Sequence, residues 1–274
     1  MNKFVVAVLL LSFSLLSSCH TSGQGTPGKG TDKATVSLTH SGAKTIHVMV
    51  ALCDNRYQGI VPVPAKIGNG QDPDHNLYWG CAYGVRSFFR KSKNWQLVSL
   101  YKRNDTLLER AVFRHRNTGY YLVADAVNGK YIKHSTELLL RSCAGTYSDT
   151  AHAEGKVLGI GAHATLLAYI GHDGLMDFSL DQDFEQADAK KRDLIILACY
   201  SKRFFAAPVA QTGANPLLWS TGLMSPEAYT LHDALECYLQ GKPATVLRSE
   251  AAKAYARYQK CSQKAALNLL VSGY

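Results

Sequence analysis

Two apolar segments of the chain each end in a side chain that is suited to catalysis. The segment 165–171 runs directly into His172, and the segment 193–198 runs directly into Cys199. A cysteine is a strong nucleophile as its thiolate, and a nearby imidazole can accept the thiol proton and later protonate a leaving amine. The two residue types therefore predict nucleophilic catalysis, provided that the fold brings them together.

These two segments have the character of buried strands. Short continuous apolar runs alternate along the chain with helical patterns, which indicates an α/β fold with a mostly parallel sheet and helices on both faces. In such sheets, reactive side chains collect at the carboxyl ends of the strands. If the two strands are neighbours, His172 and Cys199 face one cleft. Backbone N–H groups of the Gly174 turn and of the Cys199 loop can then stabilise an oxyanion.

The remaining pattern completes a single domain that we expect to span residues 44–274. The other predicted strands are 46–53, 95–100, 111–115, 120–126 and 217–220. The predicted helices are 77–90, 132–143, 226–239 and 249–270. This length suits one well-packed α/β domain better than two.

The two motifs resemble those of the caspase-like cysteine peptidases, which include caspases, gingipains, clostripain, separase and bacterial CHAT-domain peptidases. Residues 169–174, Tyr-Ile-Gly-His-Asp-Gly, are similar to the family's strand-then-histidine motif. Residues 197–201, Leu-Ala-Cys-Tyr-Ser, are similar to its strand-then-cysteine motif, and the histidine also comes first in the family. The resemblance covers most of 44–274. It implies a three-layer caspase-like domain and an endopeptidase without a cofactor, with Cys199 as nucleophile, His172 as general acid and base, and a protein or peptide substrate.

One position departs from the family pattern. The family usually places glycine directly after the histidine, whereas this chain has Asp173 there and Gly174 one residue later. Glycine lets the backbone aim its N–H at the oxyanion, while Asp173 brings a side chain and a negative charge to the oxyanion region and its cleft. A second hypothesis is therefore a catalytically inactive caspase-like scaffold that acts as a binding or assembly protein.

The adjacent His172 and Asp173 also match the dipeptide of HD-type metal phosphohydrolases. Those metal ligands lie on helices with further His and Asp partners, whereas this pair follows a strand and no second histidine cluster is evident. The sequence therefore disfavours this third hypothesis, and we predict no metal site.

Several other polar residues are weaker candidates for the cleft. The histidines and acidic residues in question are His152, His163, Asp54, Asp177, Asp181 and Asp183. The last three form an acidic segment between the motif strands that can contribute to a pocket for a basic side chain or to a weak Ca²⁺ site. Solvated loops and turns are the commoner setting for such residues.

The start of the chain has the pattern of a bacterial lipoprotein signal. Lys3 precedes an apolar run from 4 to 16, and small residues lead to Cys19. This order is typical of a secretory signal, and the apolar run is too short to span a membrane. We expect a signal peptide at 1–18, acylation of Cys19 and a flexible tether at 19–43. The lipid anchor at Cys19 predicts a location in the cell envelope, at the outer membrane and facing the periplasm.

Cysteine content and charge limit the remaining function classes. Six cysteines follow Cys19, and an exported domain permits disulfides, although their spacing shows no compact framework and we assign all but Cys199 to packing. The formal net charge is +9, but the basic residues are scattered instead of forming one stripe with aromatics. This pattern argues against nucleic acid as a partner.

Overall fold

An eight-stranded sheet lies at the centre of the part of the chain that the computed structural model describes, residues 41–274. The strands are β1 (Thr45–Ala51), β2 (Trp95–Lys102), β3 (Leu107–His115), β4 (Tyr121–Val127), β5 (Ser148–Ala153), β6 (Lys156–Gly161), β7 (Leu166–Ile170), β8 (Asp193–Leu197), β9 (Asn215–Ser220) and β10 (Leu270–Val271). The order across the large sheet is β10-β9-β8-β7-β1-β4-β3-β2, and β5 pairs with β6 in a separate hairpin. The predicted signal peptide, Cys19 and most of the predicted tether lie outside the described residues.

The central strands of the large sheet are parallel. β4, β1, β7, β8 and β9 pair in parallel with one another, whereas β3, β2 and β10 add antiparallel edges. Every residue of β1 and β7 is buried, as expected for strands covered on both faces. The predicted mostly parallel sheet is therefore confirmed.

Helices cover both faces of this sheet and give three layers. They are α1 (Val85–Lys91), α2 (Ile132–Ala144), α3 (Ser201–Thr212), α4 (Ala228–Leu239), α5 (Ala244–Gln259) and α6 (Gln263–Leu269). Val48 and Val50 of β1 share one apolar cluster with residues of α1, α4 and α5. Met49 and Ala51 point the other way, into a second cluster with residues of α2 and α3. The alternation of side chains along a strand thus divides the core into two layers around the sheet.

Two predicted helices differ from the observed ones. The helix predicted at 77–90 begins only at Val85, because the preceding residues form turns in which the Asn76 carbonyl accepts three N–H groups. The helix predicted at 249–270 is two helices, since Lys260 adopts a left-handed conformation (φ 53°) that ends α5. The Ser262 side chain then caps α6 by accepting the Ala265 N–H.

Two further elements had no counterpart in the prediction. α3 follows Cys199 and contains Pro208, a residue that argues against a helix interior. The β5–β6 hairpin packs on Val112, Tyr121 and Val123 at one side of the sheet. Among residues 41–274, no helix is long and apolar enough to cross a membrane.

Candidate active site

The parallel pairing of β7 and β8 brings His172 and Cys199 to the same edge of the sheet. Ile170 of β7 pairs with Leu197 of β8. His172 follows Ile170 by two residues, and Cys199 follows Leu197 by two residues. Both side chains line one cleft of about 370 Å³. The predicted juxtaposition at the carboxyl ends of neighbouring strands is therefore present in the structure.

Gly171 lets the chain leave β7 close to β1. Its φ is 154°, and a Cβ atom there would lie 2.8 Å from the Ala51 carbonyl oxygen. A side chain at this position would push the His172 turn away from the end of β1. The glycine thus fixes where the histidine emerges.

A sharp strand-to-helix turn presents Cys199. Tyr200 adopts left-handed backbone angles (φ 50°, ψ 28°) directly before α3, a conformation that is uncommon for a bulky residue. Its N–H donates to the Gly222 carbonyl at 2.8 Å, which holds the turn in place. Strained turns of this kind occur at functional sites, and the positive end of a helix favours a thiolate near it.

The Cys199 thiol contacts the backbone of Met224. The Met224 N–H donates to Sγ at 3.4 Å, and Sγ donates to the Met224 carbonyl at 3.5 Å. Burial raises the pKa of Cys199, the Met224 backbone lowers it, and the nearby Asp173 raises it further. The resting side chain is therefore a neutral thiol that needs a base.

Asp177 orients the imidazole of His172. The His172 Nε2 atom lies 2.8 Å from Asp177 Oδ2, which also accepts the Gly59 N–H at 2.8 Å. Tyr169 donates its hydroxyl to the His172 carbonyl at 2.8 Å and fixes the backbone. When Nε2 carries the proton and donates it to Asp177, Nδ1 remains as the acceptor for a thiol proton.

Asp173 and Gly174, predicted for the oxyanion region and its cleft, are buried and do not line the cleft among the described residues. Asp173 Oδ1 accepts the Leu175 N–H at 3.0 Å, whereas Oδ2 has no partner in that part of the chain. Burial, with a smaller contribution from Asp177, raises the pKa of Asp173 to about 7. A Cβ atom on Gly174 would lie 2.6 Å from the Phe178 ring, so this glycine permits close packing.

Asp54 does not line the cleft. Its side chain accepts the N–H groups of Arg56 and Tyr57 and organises the loop after β1. These contacts are those of an aspartate that forms the turn after a strand, the commoner role for such a residue.

The remaining weaker candidates lie on the surface away from the cleft. Asp181 pairs with Lys133, and Asp183 accepts from Gln211. His152 and His163 are exposed. Within residues 41–274, no group of three or more His, Cys, Asp or Glu side chains is arranged to hold a metal ion.

Free cysteines occupy all six positions after Cys19. Cys53, Cys143 and Cys237 are buried, whereas Cys81 and Cys199 are partly exposed and Cys261 is exposed. Burial raises the pKa of Cys53 to about 11 and that of Cys143 to about 12, which makes both thiols poor nucleophiles.

Two loops that the sequence did not single out form the walls of the cleft. One wall is the segment 59–63, and the other is the segment 223–227, which includes Met224 and Glu227. Neither segment has a repeating pattern, and only the folded chain brings them to His172. The one local signal was at the end of the segment 223–227, where the helix predicted at 226–239 begins.

No family model, curated protein or solved structure matches this chain.

Proposed function

We propose that this protein is a cysteine endopeptidase of the caspase-like type. The observation that carries the proposal is the placement of His172 and Cys199 at matching positions beyond β7 and β8, in one cleft. Asp177 supplies a third group that holds the base, which is the arrangement expected of an activated nucleophile.

The proposed reaction passes through a thioester. His172 Nδ1 takes the Sγ proton of Cys199, and the sulfur attacks the carbonyl carbon of the scissile bond. The carbon–nitrogen bond then breaks, and the imidazolium returns the proton to the leaving amine. Water attacks the thioester with His172 again as base, which releases the carboxylate product and restores the thiol.

The surroundings of the two side chains support these roles. Asp177 stabilises the positive charge that forms on His172 in each half of the reaction. Because burial keeps Cys199 protonated at rest, the thiolate forms only when the base accepts the proton. Of the two predicted sources of oxyanion donors, the Cys199 loop lines the cleft and remains part of the proposal, whereas the Gly174 turn is buried outside it.

The proposal includes the cellular location inferred from the start of the chain. Lys3, the apolar run 4–16 and Cys19 support export and lipid anchoring. The enzyme would act in the cell envelope, held at the outer membrane and facing the periplasm.

A second candidate is a scaffold without catalytic activity that binds or assembles other envelope proteins. Asp173 favours it, because this residue replaces the family's glycine and its charge raises the pKa of Cys199. The two candidates differ in whether Cys199 reacts with a substrate-like electrophile.

Peptidyl acyloxymethyl ketones test the proposal on the full chain, purified in detergent. We expect a covalent adduct at Cys199, located by mass spectrometry, that is lost in Cys199→Ala and slowed at least about 100-fold in His172→Ala. Cys261→Ala removes an exposed thiol outside the site and is the matched control, so its labelling at Cys199 should equal that of the wild type. An unreactive Cys199 in a folded protein would favour the scaffold.

A further inference from the structure

One acidic side chain, Glu227, lines a cleft whose walls are otherwise mostly apolar. The apolar residues of the lining are Ile60, Val61, Val63, Leu77, Met176, Leu223, Met224 and Pro226. Glu227 is half-buried, and burial raises the pKa of its carboxyl group. A carboxylate in such surroundings has lost hydration without gaining a counter-charge. A cationic group of a bound partner can therefore stabilise it.

Neutral groups alone hold the Glu227 carboxylate. Tyr229 donates its hydroxyl to Oε2 at 2.9 Å, and Gln259 Nε2 donates at 3.3 Å. No Lys, Arg or His side chain of residues 41–274 forms an ion pair with it. The carboxylate is thus held in a fixed place while its charge lacks a counter-charge.

Glu227 is close in the sequence to Met224, the residue whose backbone contacts the Cys199 sulfur. Glu227 follows Met224 by three residues. Three residues span at most about 11 Å from Cα to Cα. The Ser225 N–H donates to the Tyr255 hydroxyl at 3.2 Å, so the intervening backbone is fixed. A long side chain beside the scissile bond can therefore reach the carboxylate.

We propose that Glu227 selects a basic side chain, so that the substrate is a peptide with Arg or Lys on the acyl side of the scissile bond. This inference rests on the proposed peptidase function and adds its substrate class. Lys and Arg fit the cleft because their aliphatic stems pack on its apolar walls while their charged ends meet Glu227. An acidic side chain in the cleft would instead be repelled by the negative charge of Glu227.

The rim of the cleft adds a preference for apolar neighbours of that basic residue. Three lining residues are exposed: Val61 at 85%, Leu223 at 67% and Met176 at 41%. Apolar residues that flank the basic residue in a peptide would cover these side chains.

The test compares peptides that differ only in the residue before the scissile bond. Arg and citrulline have nearly the same shape, but only Arg is charged. For the full chain, we expect kcat/KM for the Arg peptide to exceed that for the citrulline peptide by about 10- to 100-fold, the range of a charge-assisted hydrogen bond. Equal values for the two peptides, or a preference for Glu, would overturn the inference.

Variants of Glu227 assign the preference to this residue. Glu227→Gln keeps an oxygen that can accept from Tyr229 but removes the charge, and the Arg-to-citrulline ratio should fall to about 1. Glu227→Asp retains the charge and should retain a ratio above 1. The matched control is Glu185→Gln, an exposed glutamate outside the cleft, whose ratio should equal that of the wild type. A ratio that persists in Glu227→Gln would contradict the assignment.

A binding experiment separates failure of this inference from failure of the proposed function. Fluorescence anisotropy of labelled Arg and citrulline peptides with Cys199→Ala reports selection without hydrolysis. We expect Cys199→Ala to bind the Arg peptide more tightly than the citrulline peptide, and the double variant Cys199→Ala/Glu227→Gln to bind both equally. This result supports the inference even if no peptide is cleaved. Equal binding of both peptides contradicts it, whether or not Cys199 reacts with electrophiles.

Discussion

The carboxyl group of Asp173 links the stability of the fold to the reactivity of the thiol. It is fully buried, one of its oxygens has no partner among residues 41–274, and its pKa is raised to about 7. When it ionises, its charge raises the pKa of Cys199. Near neutral pH, the same proton therefore affects both folding and the nucleophile.

We predict that Asp173→Asn stabilises the protein more at high pH than at low pH. The folded pKa of about 7 exceeds the ordinary aspartate pKa of 3.8, so the folded state keeps a proton that the unfolded chain loses. The contribution of Asp173 to stability therefore falls as pH rises from about 4 to 7 and stays low above that range. The gain in free energy of unfolding should grow towards about 4 kcal/mol at pH 8.

Urea unfolding of the full chain at pH 5 and pH 8 measures this difference. Asn keeps an oxygen that can accept the Leu175 N–H, so the local turn is preserved. Asp181→Asn, at an exposed acid that pairs with Lys133, controls for the general effect of removing a negative charge. The prediction fails if Asp173→Asn gives the same gain at both pH values.

In the proposed mechanism, Asp177 acts through its contact with His172. We predict that Asp177→Asn lowers kcat/KM for peptide hydrolysis by about 10²- to 10⁴-fold, because the amide cannot stabilise the imidazolium and permits the wrong tautomer. Asp177→Glu keeps the carboxylate and should retain more kcat/KM than Asp177→Asn, a rescue that a purely structural role would not produce.

The control for this variant is Asp183→Asn. Asp183 is exposed in the same acidic segment and accepts only from Gln211 at 3.3 Å among the described residues. Its kcat/KM should match that of the wild type. A wild-type kcat/KM in Asp177→Asn would mean that His172 needs no charged partner.

At the level of elements, continuous apolar patterns were sufficient to predict the two strands that lead into His172 and Cys199. The segments 165–171 and 193–198 contain β7 and β8, since strands buried on both faces need apolar residues at every position. α3 escaped prediction because Pro208 interrupts its pattern. The separation of α5 from α6 depends on the backbone conformation of Lys260, which no periodicity reveals.

The candidate site was predictable in its reactive groups and not in its walls. His172 and Cys199 each follow an apolar run, and this local signal survives in the sequence. Asp177 was one of several acids in a loop, and only its contact with His172 distinguishes it. Glu227 lines the cleft because its segment returns to Cys199 through the Met224 backbone, a contact between residues 25 positions apart that has no local signature.

The net charge of the whole molecule is positive, whereas the charged side chain in the cleft lining, Glu227, is acidic. The formal net charge is +9, whereas Glu227 and Asp177 place negative charge at the site. The scattered basic surface is compatible with the proposed location beside anionic envelope components, and the Glu227 carboxylate is compatible with the proposed basic side chain of the substrate.

We predict that lipid attachment depends on Cys19. Cells grown with a labelled fatty acid should incorporate it into the wild-type protein, and Cys19→Ala should abolish incorporation and release the protein from the membrane fraction, because a thiol is required for acylation. Cys261→Ala is the control, since it removes an exposed thiol far along the chain. Continued labelling of Cys19→Ala would disprove the predicted anchor site.

The shared carboxylate oxygen of Asp177 has a mechanical consequence. This one atom accepts both the Gly59 N–H of the cleft wall and the ring nitrogen of His172. In the proposed peptidase, a peptide bound against the segment 59–63 would contact the same wall whose Gly59 N–H shares Asp177 with His172. Substrate binding and the orientation of the base would then be coupled, and a ligand too short to reach this wall would leave the base less well aligned.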